Sequence, residues 1–294
     1  MTDGAAGVVR DVVLVTGATS GIGLAVAVEV SERGGHLALV ARSADRLRDV
    51  AAQCRTAGAA SVTTHAVDVT DAEAVQAAVD AVVDGHGRLD AVVHSAGVVA
   101  YGRLEEVPAE VFDGVVGTNV LGSANVARAV LPAMRAADHG RLYLVGSVIG
   151  GIGVPGMGAY VVSKWGVRAL ARQLQLENRD RHGVHITLVR PGSVDTPIYT
   201  LAANYSGFVG APPPPVYRPA TVARRIVESF DKPPRVLNVG IANPLMLLGF
   251  ALLPAVYDVL VGPLFRVLGR TGERVGPTPG NVLAPTPDGE RLRG

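Results

Sequence analysis

Tyr160 and Lys164 stand four residues apart in an Ala- and Leu-rich stretch, so on a helix they share one face. A free phenol holds its proton with a pKa near ~10, too high for easy exchange at neutral pH. A neighbouring ammonium favours the phenolate and lowers that value. The pair therefore suits general acid–base work, giving a proton to the alkoxide left when hydride reduces a carbonyl, or taking it in reverse. Alone, Tyr-x-x-x-Lys is weak, because a surface tyrosine stacked on a lysine stem gives the same spacing. Ser147 strengthens the reading. It follows the apolar run 142–145, and a hydroxyl at the carboxyl edge of a parallel sheet can hydrogen-bond a substrate oxygen.

A second group of residues handles phosphate. Thr16-Gly17-Ala18-Thr19-Ser20-Gly21-Ile22-Gly23 lies between an apolar run and an Ala-rich helical stretch. A dinucleotide pyrophosphate needs a tight turn, close backbone approach and exposed amides at a helix N-terminus. Gly17, Gly21 and Gly23 meet those needs, and Thr19, Ser20 and Ile22 are the contacts between them. The next apolar run ends Leu39-Val40-Ala41-Arg42-Ser43, with no carboxylate before Asp45. An acid at that strand end would accept bonds from ribose hydroxyls, whereas a guanidinium pairs with a 2′-phosphate. Arg42 therefore points to NADP(H) as the preferred cofactor, with NAD(H) possible.

These groups need a scaffold that brings strand ends together. Short β-branched runs at 12–16, 37–41, 62–67, 91–94, 141–146 and 184–189 alternate with helical stretches at 22–33, 44–57, 70–83, 109–117, 120–137 and 159–181. Such alternation predicts an α/β fold, a Rossmann-type doubly wound parallel sheet with helices on both faces. Residues 220–230 read as a further helix and 236–239 as a last edge strand. The expected organisation is a flexible N-terminus (1–10), a catalytic domain (11–240) with a substrate loop at 195–218, and an apolar C-terminal helical extension (241–269). Residues 270–294, rich in Gly, Pro and charge, read as a disordered tail.

Composition narrows the partners. The 27 basic and 26 acidic residues give a net charge of +1, which makes no electrostatic case for nucleic acid. The single Cys54 excludes an internal disulfide and a cysteine metal cluster. No metal site is expected. The N-terminal residues lack a signal-peptide pattern, so the expected location is cytoplasmic. Residues 149–157 are small and apolar, which favours a small hydrophobic carbonyl or alcohol substrate. Residues 236–257 carry no charge, and prolines 244, 254 and 263 break the run into two short helices. The stretch from Leu245 to Leu268 could cover the active site, join subunits or make a peripheral membrane contact.

Taken in order, Thr-Gly-x-x-x-Gly-x-Gly and Tyr-x-x-x-Lys resemble the motifs of the short-chain dehydrogenase/reductase family in its single-domain form. The resemblance runs from 12 to 196. It implies a tetrad of Asn119, Ser147, Tyr160 and Lys164, with Asn119 steadying a water-linked proton path to the lysine, and Lys164 also holding the cofactor ribose. It places Asp68 and Val69 beside the adenine. It places Ser95, Ala96 and Gly97 where the family has Asn-Asn-Ala-Gly, with His94 and Ser95 replacing both amides. Pro191, Gly192, Val194 and Thr196 correspond to its nicotinamide turn. A homodimer or homotetramer is also implied. The activity implied is that of an NADP(H)-linked carbonyl reductase or alcohol dehydrogenase. The alternatives are an NAD-linked alcohol dehydrogenase and a non-catalytic dinucleotide sensor or scaffold.

Overall fold

Strands flanked by helices on both sides must be apolar on both faces, and these are: all five residues of Val12–Thr16 and all four of Ala91–His94 are buried. The computed structural model describes residues 11–294; the expected flexible N-terminus lies outside them. Seven strands form the central sheet: β1 (Val12–Thr16), β2 (His36–Ala41), β3 (Ser61–Ala66), β4 (Ala91–His94), β5 (Gly140–Val145), β6 (Val184–Pro191) and β7 (Val236–Val239). Their order is β7-β6-β5-β4-β1-β2-β3, and every pairing is parallel. The chain reverses its winding between β1 and β4, where an open α/β sheet leaves a crevice at its carboxyl edge.

Helices α1 (Gly21–Glu32) and α2 (Ala44–Thr56) pack on one face, α3 (Ala72–His86) on the other. Asp71 caps α3, its carboxylate accepting from the Ala74 amide at 3.0 Å. The segments expected as two helices, 109–117 and 120–137, are one continuous run. It comprises α4 (Ala109–Val116), a π-helical turn at Gly117–Leu121, and α5 (Gly122–Ala137). Glycine just after the wide turn removes a side chain that would crowd it; a Cβ on Gly122 would meet Val69 Cγ2 at 2.6 Å. The extra residue in that turn buries Asn119 to 1% exposure. Helix α6 (Gly158–Glu177) carries Tyr160 and Lys164 on its buried side, and α7 (Pro219–Glu228) packs beside α1.

Two expectations for the C-terminal third need correction. The loop 195–218 contains short strands at Ala203–Asn204, Phe208–Gly210 and Val216–Tyr217. Residues 270–294, read as disordered, are laid against the domain. Arg270–Arg274 pairs antiparallel with Phe208–Gly210, Thr278 and Asn204 exchange backbone hydrogen bonds, and Val282 is buried beside Val111 and Val115. Composition argued for disorder because the tail offers little apolar surface. What orders it is backbone pairing with a loop distant in sequence, which no local pattern reveals. Between loop and tail lie α8 (Asn243–Leu252) and α9 (Pro254–Leu268). Among the described residues, no helix is long and apolar enough to cross a membrane.

Candidate active site

The strand register sets the site. Thr16 lies opposite His94, His94 opposite Leu144, and Val145 opposite Val189, so the turns after β1, β4, β5 and β6 open side by side. Thr16 ties two of them together. Its Oγ1 accepts from the amides of Ser95 and Ala96 at 3.2 and 3.3 Å, and lies 2.8 Å from His94 Nδ1. With two incoming N–H groups, the hydroxyl proton is left for His94 Nδ1, so the imidazole carries its proton on Nε2. Burial, with the Lys164 charge adding to it, drops the His94 pKa to about 3, so the ring is neutral. The His94-Ser95 pair thus holds its turn through Thr16, by a neutral ring and a backbone amide.

The glycine-rich turn is built as its spacing suggests. Gly17 has φ +64°, and a Cβ there would meet the Ala96 nitrogen at 2.7 Å; one on Gly23 would meet the Gly17 carbonyl oxygen at 2.2 Å. The turn therefore closes on itself and on the 95–97 loop only because those side chains are missing. Ser20 precedes the first turn of α1 without capping it by its side chain, which leaves helix amides facing the groove. This cradle fits a dinucleotide pyrophosphate.

Next to it stand the polar groups read as catalytic. Tyr160 is 9% exposed and Lys164 5%. Lys164 Nζ donates to the Val145 carbonyl at 2.9 Å and lies 5.6 Å from the centre of the Tyr160 ring. Burial lowers the lysine pKa to about 8. Burial also raises the Tyr160 pKa, as does Tyr199 nearby, while a hydrogen bond shared with Ser147 opposes the rise. Ser147 Oγ also accepts from the Ile149 amide at 3.2 Å, which orients the hydroxyl. Gly150 lets this turn sit against α6, since a Cβ would meet the Lys164 carbonyl at 2.6 Å.

Asn119 stands behind this group. Its side chain accepts from the Val98 amide at 2.9 Å, donates to the Val98 carbonyl at 2.9 Å, and donates to Ser163 Oγ at 2.8 Å. Ser163 in turn donates to the Tyr160 carbonyl at 2.8 Å. Asn119 thus couples the π-helical turn, the 95–98 loop and the first turn of α6. Gly97 permits the approach, as a Cβ there would lie 3.2 Å from Asn119 Oδ1 and 3.5 Å from Lys164 Nζ.

The glycine-rich turn, the 95–97 loop and the Ser147, Tyr160 and Lys164 side chains open into one cavity of about 690 Å³. Gly17, Ser20, Gly21 and Ile22 line one end with Ser95, Ala96 and Gly97; Ser147, Tyr160 and Lys164 lie at the centre with Pro191, Gly192, Val194 and Thr196. The far wall is apolar and comes largely from α8 and α9, including Met246, Val256, Leu260, Leu264 and Phe265. Tyr257 of α9 donates to the Gly153 carbonyl at 2.8 Å, and Phe250 of α8 packs edge-on against Trp165, so this wall is anchored to the domain. Thr19, Gly23, Arg42, Asp68, Val69 and Asn119 are not part of the cavity wall. Asp68 is engaged with Thr70, accepting from its amide and hydroxyl. Ser163, Tyr101 and Tyr199 escaped the sequence reading, as did the bonds of Thr16 to the 94–96 segment; Tyr101 and Tyr199 line the cavity, and only long-range packing brings them there.

A nucleotide cradle at the switch point of a parallel sheet, beside a buried Tyr/Lys/Ser cluster, defines the chain as a dinucleotide-binding oxidoreductase of Rossmann type. A profile of the short chain dehydrogenase family matches residues 11–204. The chain belongs to that family. It is 36% identical over 189 residues to a 3-dehydrosphinganine reductase of Arabidopsis thaliana, covering 63% of this chain and 55% of that protein. It is 31% identical over 228 residues to a glycine betaine reductase of Emericella nidulans, covering 76% of this chain but 18% of that protein. The chain therefore spans only part of the length of these two relatives.

Two solved structures share the fold. An alcohol dehydrogenase of Thermococcus sibiricus, complexed with 5-hydroxy-NADP, superposes with TM-score 0.67 at 32% identity, covering 78% of this chain and 94% of that one. A short-chain dehydrogenase/reductase of Burkholderia phymatum, in complex with NAD, superposes with TM-score 0.72 at 26% identity, covering 87% and 97%.

Proposed function

We propose that this chain is an NADP(H)-dependent oxidoreductase that interconverts a ketone or aldehyde with an alcohol on an apolar substrate. One observation carries the reading: Tyr160, Ser147 and Lys164 share a single cavity with the glycine-rich turn, and the remaining wall is apolar. When bound, the nicotinamide ring supplies or accepts the hydride. Tyr160, kept protonated by burial, is the acid that delivers a proton to the carbonyl oxygen during reduction. Lys164 stabilises the phenolate that this leaves and holds the ribose side of the site. Ser147 orients the reacting oxygen. Asn119 positions α6 and the 95–98 loop through Ser163 and Val98.

Arg42 and the missing acid at the end of β2 support preference for the phosphorylated cofactor. The length of the apolar wall along α8 and α9 supports a substrate with an extended hydrocarbon part. The name of the Arabidopsis relative makes 3-dehydrosphinganine one ketone to test. The test follows NADPH and NADH consumption with a series of ketones of increasing chain length. Turnover with NADPH that improves with chain length, and loses its cofactor preference in Arg42→Ala, is the expected result. Preference for NADH would move the assignment to NAD-linked alcohol oxidation. Binding of either cofactor without turnover of any ketone or alcohol would favour the sensor or scaffold.

A further inference from the structure

The chain's last residues run along the groove read as the dinucleotide site. Arg42 Nη2 donates to the Asn281 carbonyl at 2.7 Å, and Arg46 Nη2 donates to the Glu290 carbonyl at 2.9 Å. The Gly21 amide donates to the Arg291 carbonyl at 3.0 Å, and Arg293 pairs with Asp195 at 2.5 Å. In order, these contacts fall at the end of β2, on the first turn of α2, on the glycine-rich turn, and on the turn after β6. The cavity reaches Gly17 and Ile22 but not Arg42; Asn281 forms part of its wall instead. The covering is imperfect among the described residues: Arg46 Nε and Glu290 Oε2 are both buried without a hydrogen-bond partner.

We propose that residues 281–294 form a strap that competes with the adenosine-phosphate half of the cofactor and must lift before a full dinucleotide can seat. This rests on the dinucleotide reading of the groove. The strap offers neutral carbonyls to Arg42, Arg46 and the Gly21 amide. A phosphate adds a full negative charge opposite the two guanidiniums, which can grip it bidentately, and makes the Gly21 amide bond charge-assisted, so the cofactor can displace the strap. The nicotinamide half meets the strap only where Arg293 pairs with Asp195, and the rest of it faces the open cavity, so it depends far less on that displacement. A strap that holds most molecules closed lowers apparent affinity by the fraction left open.

The experiment compares the full chain with a chain ending at Pro285, which keeps the buried Val282 but loses the contacts of Glu290, Arg291 and Arg293. Reduced nicotinamide mononucleotide, NADPH and 2′,5′-ADP are titrated against each by fluorescence or calorimetry. The expected result is NADPH and 2′,5′-ADP binding about tenfold tighter to the shortened chain, as for a strap closed in roughly nine molecules of ten. The mononucleotide should gain much less than either. Arg293→Ala should shift NADPH affinity the same way by a smaller factor. In the full chain, 2′,5′-ADP should speed tryptic cleavage at Arg291, and the mononucleotide much less; this arm stands even if the shortened chain does not fold. Equal or weaker NADPH binding by the shortened chain and by Arg293→Ala would overturn the strap and leave the cofactor reading intact. Failure of every form to bind any dinucleotide would refute the cofactor reading and the strap with it.

Discussion

Lys164 is a cation held where the protein would be more stable without it, and Lys164→Met measures by how much. The unfolded lysine keeps its ordinary pKa of 10.5, whereas burial holds the folded one at about 8. Between those values the unfolded chain binds a proton that the folded chain does not. Stability from this group therefore rises with pH across that window and is flat below about 8. At ~1.4 kcal/mol per pKa unit, the charged lysine costs the fold on the order of 3 kcal/mol at neutral pH. The substitution also removes the hydrogen bond to the Val145 carbonyl, which offsets part of the gain by about 1 kcal/mol. The pH dependence separates the two effects. Urea unfolding of both proteins at pH 7 and pH 10 should show the advantage of Lys164→Met shrinking by about 2 to 3 kcal/mol at the higher pH. The same titration should appear in kinetics as wild-type kcat/KM falling when pH rises through about 8. A stability difference that does not change with pH would refute the buried-cation argument.

Tyr160→Phe should bind NADPH nearly as wild type does while turnover falls by about 10²–10⁴, the range for losing a general acid; near-normal turnover with a true substrate would remove Tyr160 from the acid–base role. Gly23→Ala should abolish dinucleotide binding, because its Cβ would lie 2.2 Å from the Gly17 carbonyl; retained NADPH fluorescence enhancement would show that the turn can rearrange. The outer sides of α8 and α9 expose Leu248, Leu252, Val259 and Val267 at 56, 67, 71 and 76%. We expect this face to dock on neutral lipid vesicles, with flotation lost in the Leu248→Glu/Val259→Glu double variant. A protein that ignores vesicles but dissociates from dimer to monomer on that change would assign the face to a second copy.

Much of this was legible in the residues themselves. Parallel strands buried on both faces must be apolar throughout, so β1, β2, β4 and the elements between them announced an α/β sheet. A phosphate cradle demands missing side chains at set intervals, so Gly17, Gly21 and Gly23 were visible as a unit. Tyr160 and Lys164 were visible because one helical turn separates them, a distance that sequence encodes directly. Contacts between distant segments were not legible. Family resemblance put Asn119 in the tetrad, but which groups it touches was not legible. The π-helical turn rotates it into the core, where its partners are 21 and 44 residues away. Thr16 joins His94, Ser95 and Ala96 only because β1 and β4 are neighbours in the sheet. Arg42 looked free to take a phosphate until the tertiary structure set Asn281 against it, 239 residues along the chain. Local spacing is written in covalent geometry and backbone preference, which the sequence states outright. Which distant groups meet is decided by the packing of the whole chain, and so are the strap over the cofactor groove and the apolar wall of the cavity.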